Sequence, residues 1–350
     1  MNQMSHFTKD NGVQLPVSDD FLLPFLNPTS PGTNYWDSPP PGTAHDRQRG
    51  RIILQLHQLI DLLRRANIDI KGKSFLDIGT GNGMIPRLML EFSELGSAIG
   101  VDPFLDGEHK SSWQVHDRDD LFAELADFIA AQSPGTFDFD NYAELTGDQH
   151  FSMRPAPAPY KQTPGKEFRF AKIGAHDIEE LDEKFDIFYA KAIDHIPDWD
   201  GIFRAVSASA NPSALFVIKH FSFFSFLGPH RYASTNIPWG HLLMTDDEYR
   251  RFATEFHGHR AEQMTEFYFN GLAFPRVPMS RMVRMALDHG FIAQVVINEP
   301  LRNIHDFYTL TGRVDDFWQQ VALNWPDVSA EELFSGRYHM IFRKMDGGGH

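Results

Sequence analysis

Apolar residues recur at helical spacing over Arg51–Arg65 and then fall into short unbroken runs. This change of period predicts an amphipathic helix followed by buried strands. The first run, Lys73–Gly79, ends in glycines, and Met84–Phe92 has the apolar face of a helix. A second run follows at Ala98–Val101. Together these segments predict a β-α-β unit.

Strand and helix patterns alternate again from residue 168 onward, after a predicted helix at Asp119–Ala131 and a Pro-rich run. The later predicted strands lie at Phe168–Ile173, Phe185–Tyr189, Ala214–His220, Phe291–Ile297 and Arg337–Phe342. The later predicted helices lie at Trp199–Ala210, from Thr245 onward, and at Ser280–His289. This alternation predicts an α/β fold with a mostly parallel, Rossmann-like sheet and helices on both faces.

Two long stretches interrupt the alternation, at about residues 105–165 and 221–278, and we interpret them as insertions that form a cap. Residues 1–45 are rich in Pro, Gly, Asn and Ser, with aromatic residues between them. That composition predicts an irregular arm packed on the main domain. We therefore divide the chain into an arm with a helix, residues 1–70, and one α/β domain with two insertions, residues 71–350.

Charge and cysteine content exclude several classes of protein. The 350-residue chain has a net charge of −15 and no cysteine. Disulfides, thiolate zinc sites and cysteine nucleophiles are thus excluded, and the acidic surface disfavours nucleic acid as a partner. The absence of cysteine fits a cytoplasmic protein, which is our expectation. No apolar run is long enough for a membrane helix, so we expect no membrane partner. Exposed helices of the insertions could form a homodimer.

The most informative segment is the glycine-rich turn after the first strand, where Asp77 precedes Gly79, Gly81 and Gly83. Such glycines allow a tight turn and let a ligand lie against bare backbone. Asp102 ends the next strand, where an acid can accept the hydroxyl groups of a ribose. The pattern therefore predicts a nucleoside-containing ligand, and the alternative is a tight turn with no ligand.

A dinucleotide is one such ligand, but the loop departs from its fingerprint. Counting from Gly79, Met84 takes the place of the third fingerprint glycine. A carboxylate at Asp77 would also repel a pyrophosphate, whereas it suits the amino group of a cationic or zwitterionic ligand. A nicotinamide-dependent oxidoreductase is therefore disfavoured, but it stays an alternative, as does a non-catalytic binding protein.

At this point the sequence resembles the class I S-adenosylmethionine-dependent methyltransferases, whose first motif is D-x-G-x-G-x-G. The likeness covers roughly residues 73–297 without the insertions. It implies a methyltransferase that uses S-adenosylmethionine, and the aromatic insertions suit a small-molecule acceptor such as a metabolite, a natural product or a sugar derivative. The resemblance implies these cofactor-binding residues: Asp77, Gly79, Thr80, Gly81, Asn82, Gly83, Asp102, Pro103, His176, Asp177 and Ile178.

The resemblance also implies a role for each acid. Asp77 and the glycine loop would hold the methionine end of the cofactor, Asp102 the ribose and Asp177 the adenine. The residues alone leave other roles open, because Asp102 could cap a strand end and Asp177 could be the N-cap of a helix. Asp186 and Asp198 lie in segments that resemble the later motifs of the family.

Histidines supply the candidate catalytic and acceptor-binding groups. His195 follows the strand at Phe185–Tyr189, at the edge where open α/β sheets bind ligands, so it could act as a general base or simply pack beneath the site. His220 and two histidines of the second insertion match no compact metal motif, and we predict no metal site. We expect a lid or acceptor pocket, with a structural loop as the alternative, from His230, Arg231, Tyr232, Trp239 and His241.

Overall fold

Strands and helices alternate along the chain in the computed structural model, which describes residues 5–21, 44–103, 117–132, 165–166, 168–191, 193–226, 228, 233–271, 276–299 and 304–346. The strands are β1 (Ser5–Thr8), β2 (Gln14–Val17), β3 (Ser74–Ile78), β4 (Ser97–Val101), β5 (Phe168–Ala171), β6 (Phe185–Lys191), β7 (Ala210–His220), β8 (Phe291–Glu299) and β9 (Arg337–Lys344). The α-helices are α1 (Ala44–Arg65), α2 (Met84–Phe92), α3 (Asp117–Gln132), α4 (Trp199–Ala208), α5 (Gly240–Leu243), α6 (Asp246–His257), α7 (Ala261–Glu266), α8 (Met279–Asp288), α9 (Ile304–Thr311), α10 (Phe317–Asn324) and α11 (Ala330–Leu333).

Seven strands of the described chain form one sheet in the order β5-β4-β3-β6-β7-β9-β8. All neighbours from β5 to β7 pair in parallel, and β9 runs antiparallel to both β7 and β8. The carboxyl ends of the parallel strands and the start of β9 therefore meet at one edge. The order reverses at β3, whose neighbours are β4 and β6, and such a switch point is where open sheets bind ligands.

Side chains alternate between two buried faces of this sheet. Phe75 and Tyr189 lie in one core cluster with α1, α2 and α3, whereas Leu76 and Phe188 lie in another with α4 and α8. Burial on both faces explains why the parallel strands read as continuous apolar runs. The predicted α/β class with a mostly parallel sheet and helices on both faces is confirmed.

A third core cluster belongs to a cap at the carboxyl edge, assembled from three separated segments. They are the β1–β2 hairpin with the turn after it, residues 223–268, and residues 307–334. The second segment leaves β7, and the third lies between β8 and β9. The second and third segments leave the sheet at its carboxyl edge, and the hairpin packs into the same cluster, so the cap lies at that edge. No helix among the described residues is long and apolar enough to cross a membrane.

Two expectations about the chain outside the sheet need correction. Residues 5–17 were expected to be irregular, but they form the β1–β2 hairpin because Phe7 and Leu15 bury their side chains in the cap. Helices α9, α10 and α11 were not predicted, and they complete the cap. Within the first predicted insertion, α3 packs against the sheet with α1 and α2. The domain boundaries themselves stay a prediction, and residues 22–43 lie outside the described chain.

Candidate cofactor site

The turn after β3 has three glycines in the left-handed region, with φ values of 68° at Gly79, 58° at Gly81 and 73° at Gly83. Other L-residues adopt this conformation at a cost. A Cβ atom added at Gly81 would meet nothing within 4 Å, and at Gly79 only the Lys191 carbonyl oxygen at 4.0 Å. The first two glycines therefore border open space in which a ligand can approach the backbone.

Several N–H groups of the loop already bond within the protein. Gly79 and Thr80 donate to the carbonyl oxygen of Val101 at 2.9 and 3.1 Å, and Gly83 donates to the carbonyl oxygen of Thr80 at 3.1 Å. The side chain of Asn82 accepts from the Met84 N–H at 3.2 Å, at the start of α2. A phosphate cradle needs N–H groups that point at the ligand. This loop is therefore poorly suited to a pyrophosphate.

Asp77 is a buried carboxylate beside this loop, with 3% of its surface exposed. Thr80 donates its hydroxyl to Asp77 Oδ2 at 2.6 Å. Burial raises the pKa of Asp77 to about 7, although the Thr80 hydrogen bond and the positive charge of Lys191 act in the opposite direction. A cationic group at this position would favour the charged carboxylate, so the site suits an ammonium ligand.

Asp102 follows β4 directly and closes the other side of the loop. Its Oδ2 accepts the Gly81 N–H at 2.8 Å, and 6% of its surface is exposed. One such bond does not exhaust a carboxylate, which has about four acceptor positions, so ribose hydroxyls remain compatible with it. Pro103 is exposed next to it. On β4, Gly100 lets Thr80 approach, since an added Cβ would lie 2.7 Å from Thr80 Cγ2.

The segment predicted to face the adenine forms a 3₁₀ helix at Ala175–Leu181. Gly174, not Asp177, is its N-cap, so the alternative N-cap role of Asp177 is wrong. Asp177 is exposed, Ile178 is fully buried, and His176 Nε2 donates to the Asp198 carbonyl oxygen at 2.9 Å. The segment is thereby tied to the start of α4, and the Asp177 carboxylate is one of three exposed carboxylates that it offers beside β5, with Glu179 and Glu180.

His195 connects the sheet edge to the cap. It ends a short 3₁₀ helix after β6, and its Nδ1 lies 2.9 Å from the carbonyl oxygen of Gly271 in the second insertion. A carbonyl can only accept, so Nδ1 carries the proton and Nε2 of a neutral ring has the lone pair. This tautomer is the one that a base acting through Nε2 needs.

The residues expected to bind the acceptor divide into two groups. His230, Arg231 and Tyr232 lie outside the described residues. Trp239 and His241 lie inside the cap core, 0% and 1% exposed, where Trp239 donates to Leu333 O at 3.0 Å and His241 donates to Phe223 O at 2.9 Å. Burial also lowers the pKa of His241 to about 3, which keeps the ring neutral. The structure therefore favours a packing role for both.

Two residues at this edge were not predicted from the sequence. Lys191, at the end of β6, comes next to the loop only because β6 pairs with β3. Glu332 lies far along the chain and has 2% of its surface exposed; it accepts from the Ser222 hydroxyl at 2.8 Å and the Met279 N–H at 3.0 Å. No local pattern signals either contact. Among the described residues, no group of three histidines or acids is placed to hold a metal ion.

Comparisons with known proteins agree with this geometry. A family model described as a methyltransferase domain matches residues 45–264, which is more than half of the chain. A search of curated proteins finds no significant match.

The chain is distantly similar to several solved structures. An S-adenosylmethionine-dependent methyltransferase from Mesorhizobium loti has 12% identity and a TM-score of 0.41, over 81% of this chain and 96% of that one. Magnesium protoporphyrin IX methyltransferase from Synechocystis, with bound S-adenosylhomocysteine, has 10% identity and a TM-score of 0.41, over 89% and 90%. A cyclopropane synthase from Mycobacterium tuberculosis has 14% identity and a TM-score of 0.40, over 93% and 94%. The family assignment rests on the match to the methyltransferase domain.

Proposed function

Since the chain belongs to the methyltransferase-domain family and is a class I, S-adenosylmethionine-dependent enzyme, we propose that it methylates a small molecule held between the sheet edge and the cap. The observation that carries this proposal is the cap itself, which three segments build at the carboxyl edge of the sheet and which His195, after β6, contacts through Gly271. A cap at this edge can exclude water from a small bound acceptor. A net charge of −15 argues against nucleic acid.

The cofactor would lie along the glycine loop. Asp77 would accept its ammonium group, and open space at Gly79 and Gly81 would admit it against the backbone. Asp102 would accept the ribose hydroxyls, and Asp177 the adenine amino group. The other proposed contact residues flank these groups: Thr80, Asn82, Gly83, Pro103, His176 and Ile178.

The sulfonium of S-adenosylmethionine supplies an electrophilic methyl group. The protein therefore has to align the acceptor with that methyl group, shield both from water and remove a proton from the acceptor. Alignment comes from the two acids and the loop, which fix the donor against the sheet edge. His195 is the proposed base, because its Nδ1–H···O bond to Gly271 leaves the lone pair on Nε2. An acceptor hydroxyl or amine would pass its proton to that nitrogen as its oxygen or nitrogen bonds to the methyl carbon, while the sulfur–methyl bond breaks and leaves S-adenosylhomocysteine.

Calorimetric titration with S-adenosylmethionine, S-adenosylhomocysteine and NAD in parallel tests the cofactor site. We expect binding of both sulfur compounds and none of NAD. Unchanged affinity in both Asp77→Ala and Asp102→Ala would contradict the proposed contacts.

The acceptor is tested by following S-adenosylhomocysteine formation with panels of small hydroxyl, amine and carbon nucleophiles, beside RNA and a protein mixture. We expect turnover with a small molecule only, and turnover confined to RNA or protein would contradict the proposal. His195→Asn should slow turnover while retaining the melting temperature. A cytoplasmic location and a homodimer remain predictions of the sequence.

A further inference from the structure

Lys191 lies beside the glycine loop at the end of β6. In the register between β3 and β6, Asp77 is opposite Tyr189 and Ile78 opposite Ala190, so Lys191 follows next to Gly79. Strand alternation places the side chain of Lys191 on the same face as Tyr189 and Asp77. Its positive charge accordingly acts on the Asp77 carboxyl.

A second lysine stands next to it on the neighbouring strand. Lys219 of β7 is the register partner of Lys191, and its Nζ donates to Gln58 Oε1 of α1. Lateral neighbours in a parallel sheet point to the same face. One buried carboxylate and two ammonium groups therefore share this face, side by side, at the edge where the strands end.

One negative group beside two positive groups is complementary to a zwitterion whose ammonium and carboxylate are bonded to the same carbon atom. Resting on the proposed function, in which Asp77 takes the cofactor's ammonium group, we propose that Lys191 binds the carboxylate of the methionine part of S-adenosylmethionine. Lys219, held by Gln58, adds positive charge behind it. Lys191 thus discriminates donors that carry the carboxylate from those that lack it.

A different role for Lys191 would be only to keep Asp77 ionised. That role predicts an equal loss for every ligand with an ammonium group, and a shift in the pH dependence of binding. Recognition of the carboxylate predicts a loss confined to ligands that carry it. Decarboxylated S-adenosylmethionine keeps the ammonium group and lacks the carboxylate, so a comparison with S-adenosylmethionine separates the two roles.

The experiment is calorimetric titration of the full chain and its variants with these two ligands. We expect wild type to prefer S-adenosylmethionine by about tenfold or more, the range of a charge-assisted hydrogen bond. Lys191→Met should lose most of that preference through weaker binding of S-adenosylmethionine alone, and Lys191→Arg should restore part of it. Lys71→Met is the control, because Lys71 is exposed at the opposite edge of the sheet.

Each result has a distinct meaning. An equal loss for both ligands in Lys191→Met, or an unchanged preference, overturns the inference and leaves the proposed function standing. A wild-type protein that binds neither ligand overturns the proposed function itself. Since the preference is a ratio measured on one protein sample, a partly unfolded variant still reports it.

Discussion

The charge of Asp77 changes in the pH range in which the protein would act, because burial raises its pKa to about 7. An ammonium ligand prefers the ionised carboxylate. We therefore expect the affinity for S-adenosylhomocysteine to rise between about pH 6 and about pH 8. Asp77→Asn should weaken binding about tenfold or more at the higher pH and remove the dependence. Calorimetry at the two pH values measures both effects.

The matched control for this prediction is Asp182→Asn, since Asp182 is an exposed aspartate in a loop before β6. Its φ of 52° is a value that asparagine adopts readily. This variant should bind as wild type does at either pH. Wild-type affinity that does not change with pH would contradict the role of Asp77.

The buried carboxyl group of Glu332 should make the free energy of unfolding depend on pH. Burial raises its pKa to about 7, above the ordinary glutamate value of 4.5, so the folded protein holds this proton where the unfolded chain has lost it. The free energy of unfolding should then fall as pH rises from about 4.5 to about 7. Glu332→Gln should reduce the difference in stability between about pH 5 and about pH 8 by about 2 kcal/mol. Urea denaturation at both pH values measures it.

The pKa of Asp77 is also raised, so Asp77 would contribute a pH dependence of the same direction. The comparison is therefore made in the Asp77→Asn background, where only Glu332 of these two residues can titrate. An identical pH profile with and without Glu332→Gln would show that this carboxyl does not titrate as its burial requires.

At the scale of elements, Glu248 fastens the N-terminal hairpin to α6. Its Oε1 accepts the Asp10 N–H and its Oε2 the Thr245 N–H, both at 2.8 Å, while the Thr245 hydroxyl caps the Glu248 N–H. Lys9 Nζ lies 3.9 Å from the same carboxylate, with both side chains buried. Glu248→Ala leaves the N–H groups of Asp10 and Thr245 without this acceptor and removes the negative charge beside Lys9, so it should lower the free energy of unfolding by about 3 kcal/mol.

Glu255→Ala on the same helix is the control, because Glu255 is 47% exposed and should change stability by less than about 0.5 kcal/mol. Chemical denaturation of the two variants tests the difference. Equal stabilities would mean that the hairpin is not held through Glu248.

At the scale of the whole molecule, the hairpin is part of the cap's core and not an appendage. Phe7 is 0% exposed and meets Phe252 edge to face at 5.5 Å. Phe7→Ala should cost about 3 kcal/mol or more, since it removes a buried ring and leaves a cavity. His6→Ala, at the exposed neighbouring position, should be near neutral. Thermal melting compares them, and similar melting temperatures would contradict this packing.

The cap also shows where prediction from the sequence stopped. Trp239 and His241 were expected to bind the acceptor because aromatic and imidazole groups suit a pocket wall. Their polar atoms instead bond to the carbonyl groups of Leu333 and Phe223 inside the cap. An aromatic ring with a polar atom can line a pocket or pack in a core, and only its burial in the folded protein distinguishes these two roles.

The sequence by itself determined the α/β class, the positions of the sheet strands and the glycine loop with Asp77 and Asp102. Those features depend on local periodicity and on turn glycines that adjoin in the chain. Only the tertiary structure decided which distant residues meet. It places Lys191 beside the loop and Gly271 against His195, and it assembles the cap from three segments. Strand register and shared burial arise from packing between residues far apart in the chain, which no local pattern encodes.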